Sequence, residues 1–203
     1  WLIYWTQIYG DPAQPSLWNE LEALLVRPYD HESGKQMQIR CAAIDSGGHH
    51  TNTVYNFVRF KPRLIAIKGE SRTGRPILGE PSKVDLNWKG QRIPGGAQLW
   101  HVGTDTAKAT IYGRLKIPDP GPGFYHFPIG VGDEYFQQLT AEKLITHYVR
   151  GYAKLVWTLC GANNETLDCE VYCYAAAIHA GIIHVDWNRH ESMMTGETPK
   201  PQA

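Results

Sequence analysis

The sequence predicts an α/β domain with parallel central strands, because short apolar runs alternate with segments of helical periodicity. Residues 63–69 form a continuous apolar run of the length typical of a central parallel strand. Residues 37–44 predict another strand, which leads into the tight turn of residues 45–48 and a helical pattern over residues 50–60. Strand, turn and helix in this order are the repeating unit of α/β sheets.

The remaining elements follow from periodicity and from turn residues. Aromatic and β-branched residues predict strands at 1–9 and 155–157, and a short strand at 99–103 precedes a helix through Leu115. Helical spacing predicts helices at 16–25 and 165–178, and one or two helices at 135–148. Gly, Pro, Lys and Arg dominate residues 70–96, which we interpret as a long, mobile surface segment.

Composition indicates one soluble domain at residues 1–190 and a polar tail at 191–203 without fixed structure. The chain has 203 residues, 42% of them hydrophobic and 20% charged, and its formal net charge is zero. Any contact with nucleic acid therefore depends on a local basic patch. Four cysteines without a secreted pattern, and the lack of a long apolar run, predict a reducing cytosolic setting and no membrane partner.

Asp45 is the first candidate functional residue. It ends an apolar strand and precedes Gly47 and Gly48, which permit a tight turn and close approach of a ligand. Ligands of open α/β sheets gather at the carboxyl ends of strands. The alternative is an Asx-type turn in which Asp45 only caps the helix that begins near Thr51.

Asp168 is the second candidate. It lies on a helix whose other faces are apolar, so its carboxylate is costly to bury unless it is paired or bound to a metal. Glu165 is three residues earlier on the same face and could present a second carboxylate to one cation. The alternative is that both acids only stabilise the positive amino terminus of the helix.

Two further positions carry weaker signals. Asp105 and Lys108 follow a glycine at a strand end and could hold a phosphate or orient a metal-bound water, although such a pair is also common at the start of a helix. Lys68, at the end of a strand, could contact a phosphate or be an ordinary exposed lysine.

Other sites are disfavoured by spacing. The pair His49 and His50 and the cysteines at 41, 169 and 173 lack the spacing of a structural zinc site. No P-loop motif occurs. A nuclease of the PD-(D/E)xK type needs an acid two residues before a strand lysine, and Ala66 occupies that place before Lys68.

Taken together, six sequence blocks resemble the nuclease domain of the large terminase subunit of lambda-like tailed phages and prophages (the GpA family). They occur in the order of the family and span nearly the whole chain up to Ala180. The blocks are residues 43–51, 66–69, 102–108, 125–128, 138–142 and 164–172.

The resemblance implies a ribonuclease H-like fold, a mixed sheet flanked by helices, of which this chain would lack the first two strands. Residues 1–9 would then be the third strand and residues 37–44 the fourth. Such sites use three acids, of which Asp45 corresponds to the second and Asp168 to the third. The first acid would lie upstream of Trp1, so we expect the fragment to be inactive or impaired as a nuclease.

The resemblance also implies a function. It is metal-dependent hydrolysis of concatemeric double-stranded DNA during phage DNA packaging, with two Mg²⁺ or Mn²⁺ ions at Asp45 and Asp168, and Glu165 and Asp105 as weaker candidate ligands. The candidates for DNA-backbone contact are basic: Lys68, Arg72, Lys108 and Arg114.

The implied partners are a small terminase subunit, a portal protein and an ATPase domain upstream in the same protein, all in the host cytoplasm. The alternative function is a non-catalytic interaction module that binds DNA or protein, for instance a degenerate prophage remnant or a docking domain.

Overall fold

The computed structural model describes residues 1–86 and 92–196. The helices are α1 (Pro15–Val26), α2 (Thr51–Val58), α3 (Thr104–Leu115), α4 (Asp133–Leu139), α5 (Glu165–His179) and α6 (Trp187–Thr195), with a 3-10 turn at Ile182–His184. The strands are β1 (Tyr29–Asp30), β2 (Gln36–Met37), β3 (Ala42–Asp45), β4 (Leu64–Glu70), β5 (Leu78–Leu86), β6 (Arg92–Gly103), β7 (Glu142–Val149) and β8 (Tyr152–Leu159).

A four-stranded mixed sheet in the order β3-β4-β6-β5 forms the centre of the protein. The strands β3, β4 and β6 are parallel, with Asp45 opposite Ile67 and Lys68 opposite His101. Because parallel strands end at the same side, Asp45, Lys68 and Gly103 share one border, the carboxyl edge of the sheet. The structure confirms the predicted α/β architecture and the central parallel strand.

Helices cover both faces of the sheet, and strand β4 shows why its sequence is continuously apolar. Ile65 and Ile67 face the core that α3, α4 and α5 complete, whereas Ala66 faces the smaller core under α2. All three side chains are buried. A strand covered on both faces cannot alternate polar with apolar residues, so its run of hydrophobic residues follows from its central position.

The chain segment at residues 1–9 is not a strand, which corrects the sequence prediction. The Leu2 amide donates to the carbonyl of His126 at 2.9 Å, and Trp1 stacks on that imidazole with ring centroids 3.8 Å apart. The partly buried positions are Leu2, Trp5 and Ile8. This spacing of three differs from the two of a strand, and Trp5 packs on Tyr135 of α4 with ring centroids 5.6 Å apart.

The interpretation of residues 70–96 as a mobile surface segment is wrong for residues 78–86 and 92–96, which are strands, whereas residues 71–77 are a largely exposed loop. Strand β5 pairs antiparallel with β6, and Pro81 lies opposite Trp100. Pro81 is tolerated because β5 is an edge strand. Gly79 avoids a tight contact there, since a Cβ would approach the His101 carbonyl oxygen to 3.2 Å. Residues 87–91 of the segment lie outside the described residues.

The prediction of helix for residues 135–148 is wrong beyond Leu139. Strands β7 and β8 form an antiparallel hairpin, separate from the mixed sheet. Its turn is Arg150–Gly151, and both residues have positive φ, 51° and 83°. A two-residue turn of this kind matches the twist of antiparallel strands and fixes their register.

Helix α6 extends to Thr195, so the beginning of the tail at 191–203 is helical, and residues 197–203 lie outside the described residues.

Candidate functional site

Asp45, Lys68 and Asp168 lie around one cavity at the carboxyl edge of the sheet. Asp45 ends β3, and Lys68 lies near the end of β4. Asp168 lies in the first turn of α5, which begins at the same edge. The cavity has a volume of about 490 Å³. Its lining residues are Asp45, Gly47, Gly48, Lys68, Gly69, Ser71, Thr104, Lys108, Asp168 and Tyr172.

Asp45 is exposed and makes a local turn contact. Its Oδ1 accepts a hydrogen bond from the Gly47 amide at 2.9 Å. Helix α2 receives no side-chain cap, so Asp45 does not cap it. The turn is fixed instead by Ser46, whose hydroxyl donates to the Ile67 carbonyl at 2.8 Å, and by Thr51, which donates to the carbonyl of Ser46 at 2.7 Å. The carboxylate of Asp45 is thus held on a rigid turn.

Asp168 is half-buried beside both a cation and an amide. Lys108 Nζ lies 3.6 Å from Asp168 Oδ1, and Asn164 Nδ2 donates to Asp168 Oδ2 at 3.2 Å. Burial raises the pKa of Asp168 above its ordinary value of 3.8, and Lys108 opposes that rise, whereas Glu142 and Glu165 add to it. A cation that replaced lost hydration would favour the ionised carboxylate.

Lys108 and Glu142 form a buried ion pair next to Asp168. Lys108 Nζ donates to Glu142 Oε1 at 2.6 Å, and the two side chains are only 9% and 6% exposed. Asn164 Nδ2 donates to the same oxygen at 2.6 Å. The Tyr112 hydroxyl donates to the main-chain carbonyl of Glu142 at 2.7 Å. Helix α3, strand β7 and helix α5 therefore meet through one polar network.

Glu142 was not recognised as a site residue from the sequence. It lies in the block of residues 138–142, but the helical prediction for this region concealed its position at the first residue of β7. Its carboxylate meets Lys108 only through the packing of α3 against the hairpin base. No local sequence signal encodes that contact.

Tyr172 also belongs to the site. Burial raises the pKa of its hydroxyl, and the neighbouring carboxylates of Asp45 and Asp168 raise it further. The hydroxyl lies against Gly69, where an added Cβ would stand 3.1 Å from it. Tyr172 follows Asp168 by four residues on α5, and this spacing on one helix face is the signal by which the sequence could have revealed it.

The other predicted residues are more dispersed. Glu165 is exposed on the first turn of α5, and Asp105 lies on the first turn of α3. Neither is among the described residues that line the cavity. Arg72 is exposed on the loop after β4. Arg114 lies in the last turn of α3, where it donates to the Tyr174 hydroxyl at 3.0 Å.

Within residues 1–86 and 92–196, no group of three or more His, Cys, Asp or Glu side chains has the arrangement of a metal site. The carboxylates that line the described cavity are those of Asp45 and Asp168. Two carboxylates suit a hard cation that takes its other ligands from water or from a phosphate. Asp45 and Asp168 are thus the described carboxylates available to a cation in this cavity.

Residues 1–187 match the family model described as "Terminase large subunit gpA, endonuclease domain". The chain belongs to this family. It is 34% identical over 189 residues to the terminase large subunit of Escherichia phage lambda, covering 87% of this chain and 28% of that protein. Identity is also 34% over 181 residues to the terminase large subunit of Enterobacteria phage P21, covering 83% and 27%.

The chain thus spans about a quarter of the length of these relatives. No solved structure matches it significantly. Among the described residues, none of the helices is both long enough and apolar enough to cross a bilayer.

Proposed function

We propose that this terminase endonuclease domain hydrolyses phosphodiester bonds of double-stranded DNA with a divalent cation, Mg²⁺ or Mn²⁺, held between Asp45 and Asp168. The observation that carries the proposal is the meeting of these two carboxylates, distant in sequence, in one cavity at the carboxyl edge of the sheet. Lys68 lines the same cavity, is exposed there, and would supply positive charge where a phosphate would enter.

The residues of the candidate site would have different roles in the reaction. Asp45, on its rigid turn, and Asp168, held by Asn164, would bind the cation through carboxylate oxygens. Lys68 is exposed at the cavity and would contact a DNA phosphate. When two such cations are bound, the attacking water is activated and the leaving 3′ oxygen is stabilised.

Lys108 would act differently from a simple DNA contact. Its ammonium group is buried and already paired with Glu142, so it would orient Asp168 and balance its charge when no cation is bound. Arg114 is directed to Tyr174 at the far end of α3, which leaves Lys68 and the exposed Arg72 as the stronger candidates for phosphate contact.

The two-metal form of the mechanism needs a further acid beside Asp45 and Asp168, which the ribonuclease H-like fold would supply. We include that fold in the proposal because β3, β4 and β6 are parallel and carry helices on both faces. The proposed context is packaging of concatemeric phage DNA in the host cytoplasm. There an ATPase domain of the same protein, a small terminase subunit and a portal protein would be partners.

Binding of Mn²⁺ by the chain, measured by calorimetry, tests the cation site directly. We expect Asp45→Asn and Asp168→Asn each to weaken binding by more than about tenfold, since even outer partners of metal ligands have effects of that size. Asp119→Asn, which replaces an exposed carboxylate in the loop after α3, is the matched control. Equal binding by all four proteins would contradict the proposal.

A second function is favoured by one observation. Lys108 lies within ion-pair distance of both Glu142 and Asp168, so part of the negative charge of the site is compensated without a metal. That arrangement fits a non-catalytic module that binds DNA or protein. Nicking of supercoiled plasmid in Mn²⁺ that is lost in Asp45→Asn supports hydrolysis and would contradict the expectation that the fragment is impaired. Binding of DNA without any binding of Mn²⁺ supports the module.

A further inference from the structure

The β7–β8 hairpin extends from the candidate site as a separate ribbon. Every residue of β7 after Glu142 is exposed, as are the first four residues of β8. Tyr148 and Tyr152, near the turn, are 76% and 79% exposed. Both faces of the distal ribbon are therefore in contact with solvent.

The charge of this ribbon differs from that of the whole chain. Residues 143–159 contain Lys143, Arg150 and Lys154, together with His147, and have no Asp or Glu. The whole chain has zero net charge. The register pairs His147 with Lys154 and Lys143 with Thr158, so Lys143, His147 and Lys154 share one face, and Arg150 forms the turn.

The base of the ribbon is anchored at the candidate site. Glu142, the first residue of β7, accepts the hydrogen bond from Lys108 Nζ. Trp157 of β8 packs on Tyr112 of α3 with ring centroids 4.9 Å apart. From this base, the eight residues of β7 reach about 26 Å at roughly 3.3 Å per residue. That length corresponds to about 8 base pairs of duplex at roughly 3.4 Å each.

We propose that the β7–β8 hairpin is a DNA-binding arm that contacts the duplex beside the cation site proposed at Asp45 and Asp168. This inference rests on the proposed function, because it takes duplex DNA as the substrate of that site. A ribbon with several cations and no acid complements the phosphate backbone. A two-stranded ribbon also fits the width of the major groove. The contacts are to backbone, so the arm adds affinity and orientation without sequence choice.

The test is the triple variant Lys143→Gln, Arg150→Gln, Lys154→Gln, compared with the matched control Arg40→Gln, Arg63→Gln, Lys116→Gln. The control removes the same charge from exposed positions: two near the opposite edge of the sheet, one just after α3. Binding to a labelled duplex is measured by fluorescence anisotropy at several salt concentrations in EDTA, so that no cleavage occurs. Circular dichroism verifies that both variants are folded.

We expect the hairpin variant to bind about tenfold or more weakly at low salt. Its slope of log affinity against log salt should fall by about three, near one for each phosphate contact removed. The slope of the control variant should fall by less than about one, which is a third of the decrease expected for the hairpin variant. Equal losses in the two variants, or no loss in the hairpin variant, would overturn the proposal, and the second result would favour a protein partner for the ribbon.

Failure of this inference differs from failure of the proposed function. If Asp45→Asn abolishes Mn²⁺ binding and nicking but the hairpin variant binds DNA normally, the results support the proposed nuclease site and contradict the proposed DNA-binding arm. The hairpin variant could instead lose DNA affinity while the wild-type chain binds no Mn²⁺. The arm would then be a DNA contact of a non-catalytic module, and the inference that it serves a nuclease site would be overturned.

Discussion

Glu142 joins two regions of the molecule whose charged side chains differ in their exposure to solvent. On one side its carboxylate closes a buried network with Lys108 and Asn164, in which each charge has a fixed partner. On the other side its chain continues into a ribbon whose cations are exposed to solvent. Charged side chains therefore have two roles in this molecule. Desolvated ion pairs fix the geometry of the site, whereas exposed charges remain available to a partner and are screened by salt.

The largest expected effect comes from breaking the buried pair. Glu142→Ala leaves the Lys108 ammonium buried with only the more distant Asp168, so we expect unfolding to become easier by about 3–5 kcal/mol. Lys143→Ala, one residue along and exposed, should change the free energy of unfolding by no more than about 0.5 kcal/mol. Urea denaturation of both variants measures the difference.

A double variant separates the cost of an unpaired charge from the value of the pair. Replacing Lys108 with Met and Glu142 with Leu should recover most of the lost stability, because neither charge is then left buried alone. If Glu142→Ala costs less than about 1 kcal/mol, water must reach Lys108 and the contrast between the two regions weakens.

A smaller effect should follow from filling space at the carboxyl edge. In Gly69→Ala the new methyl group would stand 2.9 Å from Thr104 Cγ2 and 3.1 Å from the Tyr172 hydroxyl, so we expect a loss of about 1–3 kcal/mol. Gly48→Ala adds the same group where no atom lies within 4 Å and should change stability little. Thermal denaturation that ranks the two variants equally would show that the edge is not tightly packed.

The smallest expected effect is a pH dependence at Asp168. Its pKa is raised in the folded protein, mainly by burial, so the folded state binds more protons than the unfolded chain between the ordinary value of 3.8 and the raised value. Stability conferred through this group therefore decreases as pH rises through that interval.

Asp168→Asn removes this pH dependence. The free energy of unfolding of the variant minus that of the wild type should increase as pH rises through the interval, measured by denaturation at a series of pH values. Asp119→Asn supplies the reference for loss of an exposed carboxylate. A difference that decreases with pH would show that Lys108, rather than burial, dominates the environment of Asp168.

The sequence predicted those elements whose pattern is local. The run within residues 63–69 became β4, and the helical spacing at 165–178 became α5. Residues 140–148 were misassigned because Thr140, where the helix ends, is too weak a signal for a helix end. The apolar residues that follow, Leu144, Ile145, Tyr148 and Val149, come in two pairs four residues apart, a spacing that also fits a helix.

The sequence by itself determined that Asp45 ends a strand and that Asp168 opens a helix, because the strand run, the turn glycines and the helical periodicity are all properties of neighbouring residues. Only the tertiary structure decided that Lys108 pairs with Glu142, that Tyr172 joins the site, and that residues 1–9 lie over a loop instead of in a sheet. Those outcomes depend on distances between elements remote in sequence. Such distances are set by how the helices pack on the sheet, and no local pattern specifies that packing.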